Sequence, residues 1–410
     1  MAMTVEVEGA GPMPKVNPDI LRWARETAGL SPEDAVVKLD INDARGVVAV
    51  DRLRAIESGA VEPSRPMLVR MAKQYRRPLL TFYLREPPRT ADRGHDYRLL
   101  PDTLGEDEIA WVDVIVRDIY ARQSLVRDVL IDDEETEEIS FIGAFRRADG
   151  LSSVVRGVKD FLGFDQEAYR GFNKIDDAFA YLRDQAEAAG VFVLLVDNLG
   201  SWHTTIPVEA FRGLALADSI APFIAINAND SRGAWCFTLI HELAHLALGD
   251  TAISAERGDQ VTEQFCNDVA SEFLVPAAEI VLLGVTGRTL LEDAKAQISA
   301  FARERNVSNT MVAYKLYRAG AFGYERFDEL RLEFKQEFLD YRAREREKNR
   351  EKEGGPTYQT IRKHRAGTTL IRLVDRMIYS GNLTTTKAGK VLGVSPKNVQ
   401  GLLETVRSGI

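Results

Sequence analysis

Two histidines and a glutamate stand at a spacing that suits a shared metal ion. The segment reads His241-Glu242-Leu243-Ala244-His245. On a helix, residues i and i+4 lie on the same face, so both imidazoles can bind one zinc ion. Glu242 lies one residue round the helix, where its carboxylate can reach the attacking water as a general base. The pattern therefore predicts a zinc site with its own base.

The residues around this motif predict that it lies on a buried helix. In the stretch 233–248 apolar residues occur on nearly all sides of the helix. The alternative is a buried helix whose histidines are hydrogen-bonded core residues. We favour the metal site because burying two imidazoles without partners costs free energy.

A tetrahedral catalytic zinc needs a third protein ligand and one open position. The next predicted helix offers Glu263 as that ligand. Asn267 follows one turn later on the same face, where it could orient a ligand histidine. Glu272 and Asp268 are the competing acids.

Four further residues are weaker candidates for chemistry. His203 and Tyr314 could donate a hydrogen bond to an oxyanion, but a solvated loop histidine and a core tyrosine are the simpler interpretations. Cys236 and Cys266 are predicted to be small core residues. Two cysteines cannot build a disulfide framework.

The 410 residues are enough for two or three domains, and we predict four regions. They are a helix-turn-helix domain at 15–88, a helical connecting region at 89–174, an α+β body at 175–340 that carries the zinc motif, and a small helical domain at 356–410. The pair Pro87-Pro88 and the segment Gly354-Gly355-Pro356 mark two of the boundaries. Short apolar runs in the body predict strands at 191–196, 213–217 and 222–226. The expected fold class is α+β and mostly helical, with a small sheet.

The N-terminal region predicts five short helices with capping residues at their starts. Such a domain suits DNA binding, with the third helix in the major groove. Arg52 and Arg54 on that helix, and Arg45 before it, are the candidate DNA contacts. A small helical bundle used for protein contacts is the alternative.

Charge is unevenly distributed along the chain. The net charge is −9, which taken alone disfavours a nucleic-acid binder. However, residues 15–93 carry a net +4, residues 94–340 a net −20 and residues 341–410 a net +9. Only the two ends therefore have the sign that DNA binding requires.

The basic C-terminal region contains a second helix-turn-helix candidate. Ala388, Leu392, Val394 and Val399 fit a short helix, a turn with glycine and a second helix that begins at Ser395-Pro396. A role in packing or in dimer formation is the alternative.

Two segments resemble known families. Leu21–Leu30, Ile56-Glu57-Ser58-Gly59 and Leu68–Tyr75 are similar to the Cro/repressor (XRE-type) helix-turn-helix family. Phe237–Leu246, then Glu263-x-x-Cys266-Asn267 and Phe273-Leu274-Val275-Pro276, resemble the ImmA/IrrE metallopeptidases. The second resemblance implies a zincin-like fold, with His241, His245 and Glu263 as zinc ligands and Glu242 as the base. It also places the strand at 223–226 at the cleft edge, where an extended peptide could pair with it.

These observations predict a zinc-dependent endopeptidase coupled to a DNA-binding domain, which cleaves a specific partner such as a repressor. The alternative is an antitoxin-like transcription regulator that binds DNA and neutralises a cognate toxin, with little or no proteolysis. The expected partners are operator DNA and a protein substrate or toxin. Helix-turn-helix repressors often read two half-sites, which would suit a homodimer. No apolar run is long enough for a membrane span and no signal peptide is recognisable, so we expect a cytoplasmic protein.

Overall fold

The computed structural model describes most of the chain in ten segments. They are residues 16–44, 46–75, 77, 79–83, 106–132, 136–199, 204–208, 210–250, 260–351 and 355–407. The chain divides into two compact units. One contains residues 1–91 and 102–115, and the other contains residues 92–101 and 116–410.

The N-terminal unit begins with five short helices, as the sequence predicts. The first four are α1 (Pro18–Glu26), α2 (Pro32–Lys38), α3 (Ala49–Glu57) and α4 (Arg65–Gln74), and the fifth is a 3₁₀ helix at Leu79–Tyr83. Asn17, Ser31 and Ser64 cap α1, α2 and α4 with their side-chain oxygens. The four α-helices and the 3₁₀ helix share one core, whose fully buried members include Ile20, Leu39, Leu53, Met71 and Phe82.

A buried ion pair joins α1 to α3. Arg25 donates to both carboxylate oxygens of Glu57, at 2.7 and 3.0 Å, and to the carbonyl of Leu30 at 2.9 Å. The hydrogen bonds with Glu57 raise the pKa of the Arg25 guanidinium. Both side chains are almost completely buried, so each depends on the other for compensation of its charge.

The connection between α2 and α3 is long for a helix-turn-helix motif. It spans residues 39–48 and contains an isolated β-bridge between Ala44 and Val47. Asp43 accepts from the backbone N–H of Ala49 at 2.7 Å, which caps α3 in place of its N-cap residue, Val48. A helix-turn-helix turn usually has three or four residues.

The second unit contains fourteen helices among the described residues and one small sheet. The helices before the sheet are α5 (Glu106–Ile131, whose first residues belong to the N-terminal unit), α6 (Leu151–Leu162), α7 (Gln166–Gly171) and α8 (Ile175–Ala188). Those after it are α9 (Arg232–Leu248), α10 (Gln260–Leu274), α11 (Ala277–Val281), α12 (Leu291–Glu304), α13 (Asn309–Arg318), α14 (Tyr324–Glu351), α15 (Tyr358–Ala366), α16 (Thr368–Tyr379), α17 (Thr385–Leu392) and α18 (Val399–Arg407). The mostly helical α+β fold class is confirmed. No helix in the described part of the chain is long and apolar enough to cross a membrane.

The sheet has three strands, β1 (Phe192–Val196), β2 (Gly213–Leu216) and β3 (Phe223–Asn227), in the order β1-β3-β2. β3 pairs with β1 in parallel and with β2 in antiparallel orientation. The prediction that the strand at 223–226 lies at the cleft edge is therefore wrong, because both of its sides are already paired. Among the described strands, β2 is the edge next to α9.

Both faces of the sheet are buried. Val193, Ala215 and Ile224 face the main core together with α9 and α10. Residues at the alternate positions, such as Leu194, Leu214 and Phe223, are also at most 3% exposed. α15 packs on β1, so the C-terminal helices are part of the second unit. The same core takes in Val154 and Val158 of α6 and Tyr169 of α7, which precede residue 175.

Candidate metal centre

The helix α9 carries both histidines of the motif. Ser231 caps its start by accepting from the N–H of Ala234, and Gly249 ends it in the left-handed conformation with a φ of 73°. Its sequence is apolar on nearly every side, and residues 238–247 are all buried. The predicted buried helix is thus present, and it holds the histidines inside the core.

His241, His245 and Glu263 converge on one point. The Nε2 atoms of the two histidines are 3.1 Å apart. Glu263 Oε2 lies 3.3 Å from His241 Nε2, and its Oε1 lies 3.2 Å from His245 Nε2. These are the only three side chains among the described residues that form such a ligand group. His241 is fully buried, whereas the Glu263 side chain is 19% exposed.

The spacing of these atoms suits a tetrahedral metal. A metal bound at about 2.0–2.1 Å has ligand atoms about 3.3–3.4 Å apart. The two Nε2 atoms, at 3.1 Å, and each Nε2 with one of the two Glu263 oxygens, at 3.2 and 3.3 Å, are close to that separation. Two imidazole nitrogens and one carboxylate oxygen are also the donor types that such metals prefer. The residues therefore fit a metal ion with one position left for a further ligand.

Glu242 projects from α9 onto the edge strand. The residue is 0% exposed. A methyl group at position 213 would clash with Glu242 Oε1 and lie 2.9 Å from Glu242 Cδ and 2.6 Å from Thr238 Cγ2. Because Gly213 has no side chain, the carboxylate can lie directly against the backbone of β2. The sequence analysis did not identify Gly213 as part of the site. The one signal was its position at the start of a strand in which small and large residues alternate.

Asn227, at the end of β3, ties down the loop that leads into β2. Its side-chain Nδ2 donates to the carbonyl of Phe211 at 2.7 Å and to those of Ile206 and Pro207 at 3.3 Å. Its Oδ1 accepts from the N–H of Asn229 at 2.9 Å. Asn227 is fully buried, so this loop is anchored from inside the core. Its positioning role is a second feature that the sequence did not reveal.

The structure places Glu263, rather than the competing acids, next to the histidines. Glu272 instead forms an ion pair with Lys315 at 2.9 Å and accepts from the N–H of Ala277. Asp268 accepts from Gln264 at 3.0 Å. Asn267 lies half-buried one turn after Glu263, and its amide makes no hydrogen bond to another described residue.

The cysteines lie in the core, and burial raises the pKa of Cys236 to about 12. The hydroxyl of Tyr314, a candidate oxyanion donor, accepts hydrogen bonds from Gln264 Nε2 at 3.1 Å and from Arg318 at 2.9 Å. His203 lies outside the described residues.

Two of the three predicted DNA contacts, Arg52 and Arg54, lie on α3 of the N-terminal unit. Arg45 falls outside the described residues. Arg52 is exposed on α3 and donates to the carbonyl of Asn42. Arg54 is exposed and lies 3.4 Å from Asp51, one turn earlier. Both arginine side chains are thus accessible, and their solvent-exposed interactions with Asn42 and Asp51 contribute little to stability.

A comparison with protein families agrees with the chemistry of this centre. The family model of the IrrE N-terminal-like domain, Peptidase M78, matches residues 196–317. The matched segment includes Glu242 and all three residues of the triad, which supports a metallopeptidase of the ImmA/IrrE type in this part of the chain. No curated protein and no solved structure matches the chain.

Proposed function

We propose that the chain is a zinc-dependent endopeptidase coupled to a DNA-binding unit, and that it cleaves a specific partner such as a repressor. The observation that carries this proposal is the buried base beside a complete ligand triad. A metal site that only stabilises the fold is closed and needs no base. Here Glu242 is completely buried next to His241 and is accommodated by a glycine.

Zinc is the metal that this donor set favours. Two histidines and one glutamate are a ligand set of catalytic zinc, which keeps one coordination position open. Bound zinc would supply a Lewis acid that polarises the scissile carbonyl. Glu242 would take the proton of the attacking water on a carboxylate oxygen and pass it to the leaving amine. Gly213 would keep that carboxylate in place.

The substrate would bind as an extended peptide along β2. Asn227 N–H donates to the Arg212 carbonyl at 2.8 Å, so positions 212, 214 and 216 direct their backbone groups toward β3. Gly213 and Ala215 therefore direct theirs to the other side of the strand, where no described strand pairs with them. At the far end, Gln123 of α5 donates to the carbonyls of Ala221 at 2.9 Å and Leu216 at 3.4 Å. A peptide would thus pair near Gly213, close to the base.

Access to the centre favours one substrate over general proteolysis. His241 and Glu242 are fully buried, and Glu263 supplies most of the exposed surface of the group. A folded protein would need a loop that can be extended to reach this point. The N-terminal unit, with a net charge of +4 over residues 15–93, would bring the peptidase to an operator where such a partner acts.

The first test is metal content. The purified chain should contain about one zinc ion per molecule, and His241→Ala should lose it because one of three protein ligands is removed. Asp268→Asn is the matched control, since it alters an acid on the same helix as Glu263 that points to Gln264. Zinc retained in His241→Ala would overturn the assignment of the ligands.

The second test is cleavage. Wild-type protein and Glu242→Gln are incubated with the protein products of the adjacent genes, and fragments are identified by mass spectrometry. The wild type should cleave one of them, and Glu242→Gln should bind zinc normally while its rate falls by about 10²-fold or more. If both proteins bind such a product without cutting it, the antitoxin-like alternative replaces the peptidase.

A further inference from the structure

The last three helices pack together through buried apolar side chains. α16, α17 and α18 pack on one another. The buried side chains they share include Leu370, Ile371, Val374, Met377, Ala388, Val391, Leu392, Val399, Leu402 and Leu403. Three helices of this length around one core are the framework on which helix-turn-helix motifs are built.

The connection from α17 to α18 has the geometry of such a motif. α17 ends at Gly393, which is left-handed with a φ of 66°. After residues 393–395 a 3₁₀ turn at Pro396–Asn398 runs directly into α18. A three-residue turn containing glycine is typical of a helix-turn-helix. The connection at 39–48 in the N-terminal unit is much longer.

A second glycine brings the turn close to α17. A methyl group at Gly389 would lie 2.8 Å from the carbonyl oxygen of Val394 and 3.3 Å from the nitrogen of Pro396. Gly389 is not in the left-handed region, so it is required for space and not for backbone conformation. The close approach fixes the angle between α17 and α18.

α18 has one face that no other described part of the chain covers. Its apolar face is buried in the bundle. A second face meets α15, where Lys363 donates to the carbonyl of Thr405 at 3.0 Å and Gln359 lies beside Gly401. Gln400 of α18 and Lys397, in the 3₁₀ turn that leads into it, are exposed. This is the first turn of the second helix, the part that contacts base edges in helix-turn-helix proteins.

The surface around this turn is basic. Residues 376–403 contain four basic residues and no acidic residue, in a chain with a net charge of −9. Lys387, Lys390 and Lys397 are exposed and form no ion pair with any described residue. The first acid on the outer face of α18 is Glu404, one turn further along. Positive charge without compensation is what the phosphates of a duplex attract.

We propose that α16–α18 are a second DNA-binding element, which places the first turn of α18 in the major groove of a duplex. Lys387 and Lys390 of α17 contact phosphates, while Lys397 and Gln400 face the base edges. This inference does not depend on the peptidase activity. A role of the same surface in pairing two copies of the chain is the competing outcome.

The experiment measures binding of the full-length protein to a fluorescent 30-bp duplex of random sequence at several salt concentrations. The variant Lys387→Ala/Lys390→Ala/Lys397→Ala should bind about tenfold more weakly or worse, with a shallower dependence on salt, because two phosphate contacts and one positively charged base contact are lost. The control variant Arg288→Ala/Arg303→Ala/Lys335→Ala removes the same charge from exposed positions elsewhere in the second unit. It should bind like the wild type.

Three outcomes would overturn the proposal. One is equal binding by the two triple variants, and another is no DNA binding by the wild-type chain. The third is a triple lysine variant that changes the oligomeric state in analytical ultracentrifugation but not the affinity for DNA. Far-UV circular dichroism confirms that each variant is folded. As a separate readout, Gln400→Ala should alter the base preference of sequences selected from a randomised duplex pool.

Discussion

At the scale of single residues, the absence of a side chain at Gly213 leaves the space that the Glu242 carboxylate occupies. Types and spacing predicted His241, His245 and Glu242, because their chemistry is local to one helix. Glu263 competed with Glu272 and Asp268 as the third ligand until the ImmA/IrrE resemblance favoured it. Gly213 lies on a strand that is distant in sequence from the motif. Its importance becomes visible only when β2 and α9 are placed against each other.

Gly213→Ala should separate metal binding from catalysis. The added methyl group would meet Glu242 Oε1 and Cδ, so the carboxylate must turn away from its position while the three ligands are untouched. We expect normal zinc content and a cleavage rate lower by about 10²-fold, as for loss of the base. Leu214→Val, on the opposite face of the same strand, should cleave at close to the wild-type rate. Full activity of Gly213→Ala would show that Glu242 does not depend on the space left by the glycine at position 213.

At the scale of elements, local sequence signals predicted helices and strands but not the order of the strands in the sheet. Capping residues and helical periodicity gave the five N-terminal helices, and short apolar runs gave all three strands to within one residue at each end. The sequence did not predict the order of those strands, since an apolar run does not specify which strand it will pair with. The family resemblance placed β3 at the edge, whereas it lies in the middle.

The ion pair between α1 and α3 should dominate the local stability of the N-terminal unit. Glu57→Gln leaves the guanidinium of Arg25 buried without its counter-charge, which costs about 3–5 kcal/mol. We expect faster hydrogen exchange throughout α1 and α3. Asp51→Asn alters the exposed pair with Arg54. It should change the free energy of opening that hydrogen exchange reports by less than about 1 kcal/mol. Similar exchange in the two variants would mean that the buried pair contributes little.

At the scale of the whole molecule, charge and loop composition predicted separate regions of the chain, but not how the C-terminal helices attach. Arg183 of α8 is buried and donates to Glu187 at 2.8 Å and to the carbonyl of His364 at 2.5 Å. The other oxygen of Glu187 accepts from the N–H of Thr369 at the start of α16. These polar residues look like ordinary surface charges in the sequence, because their partners lie more than 170 residues away.

Gly367, between α15 and α16, should therefore be a sensitive point in this attachment. A methyl group there would clash with Glu187 Oε1 and lie 2.8 Å from Arg183 Nη2, and its φ of 84° is unfavourable for alanine. Gly381→Ala is a matched control in the same helical bundle, because its φ is 82° and nothing lies within 4 Å of the added group. Both variants carry the backbone strain, but only Gly367→Ala disturbs the buried pair. We expect hydrogen exchange to increase across α8, α15 and α16 in Gly367→Ala and to stay close to wild type there in Gly381→Ala. If the two variants behave alike, backbone strain alone matters, and the ion pair is not what holds the C-terminal helices to the rest of the second unit.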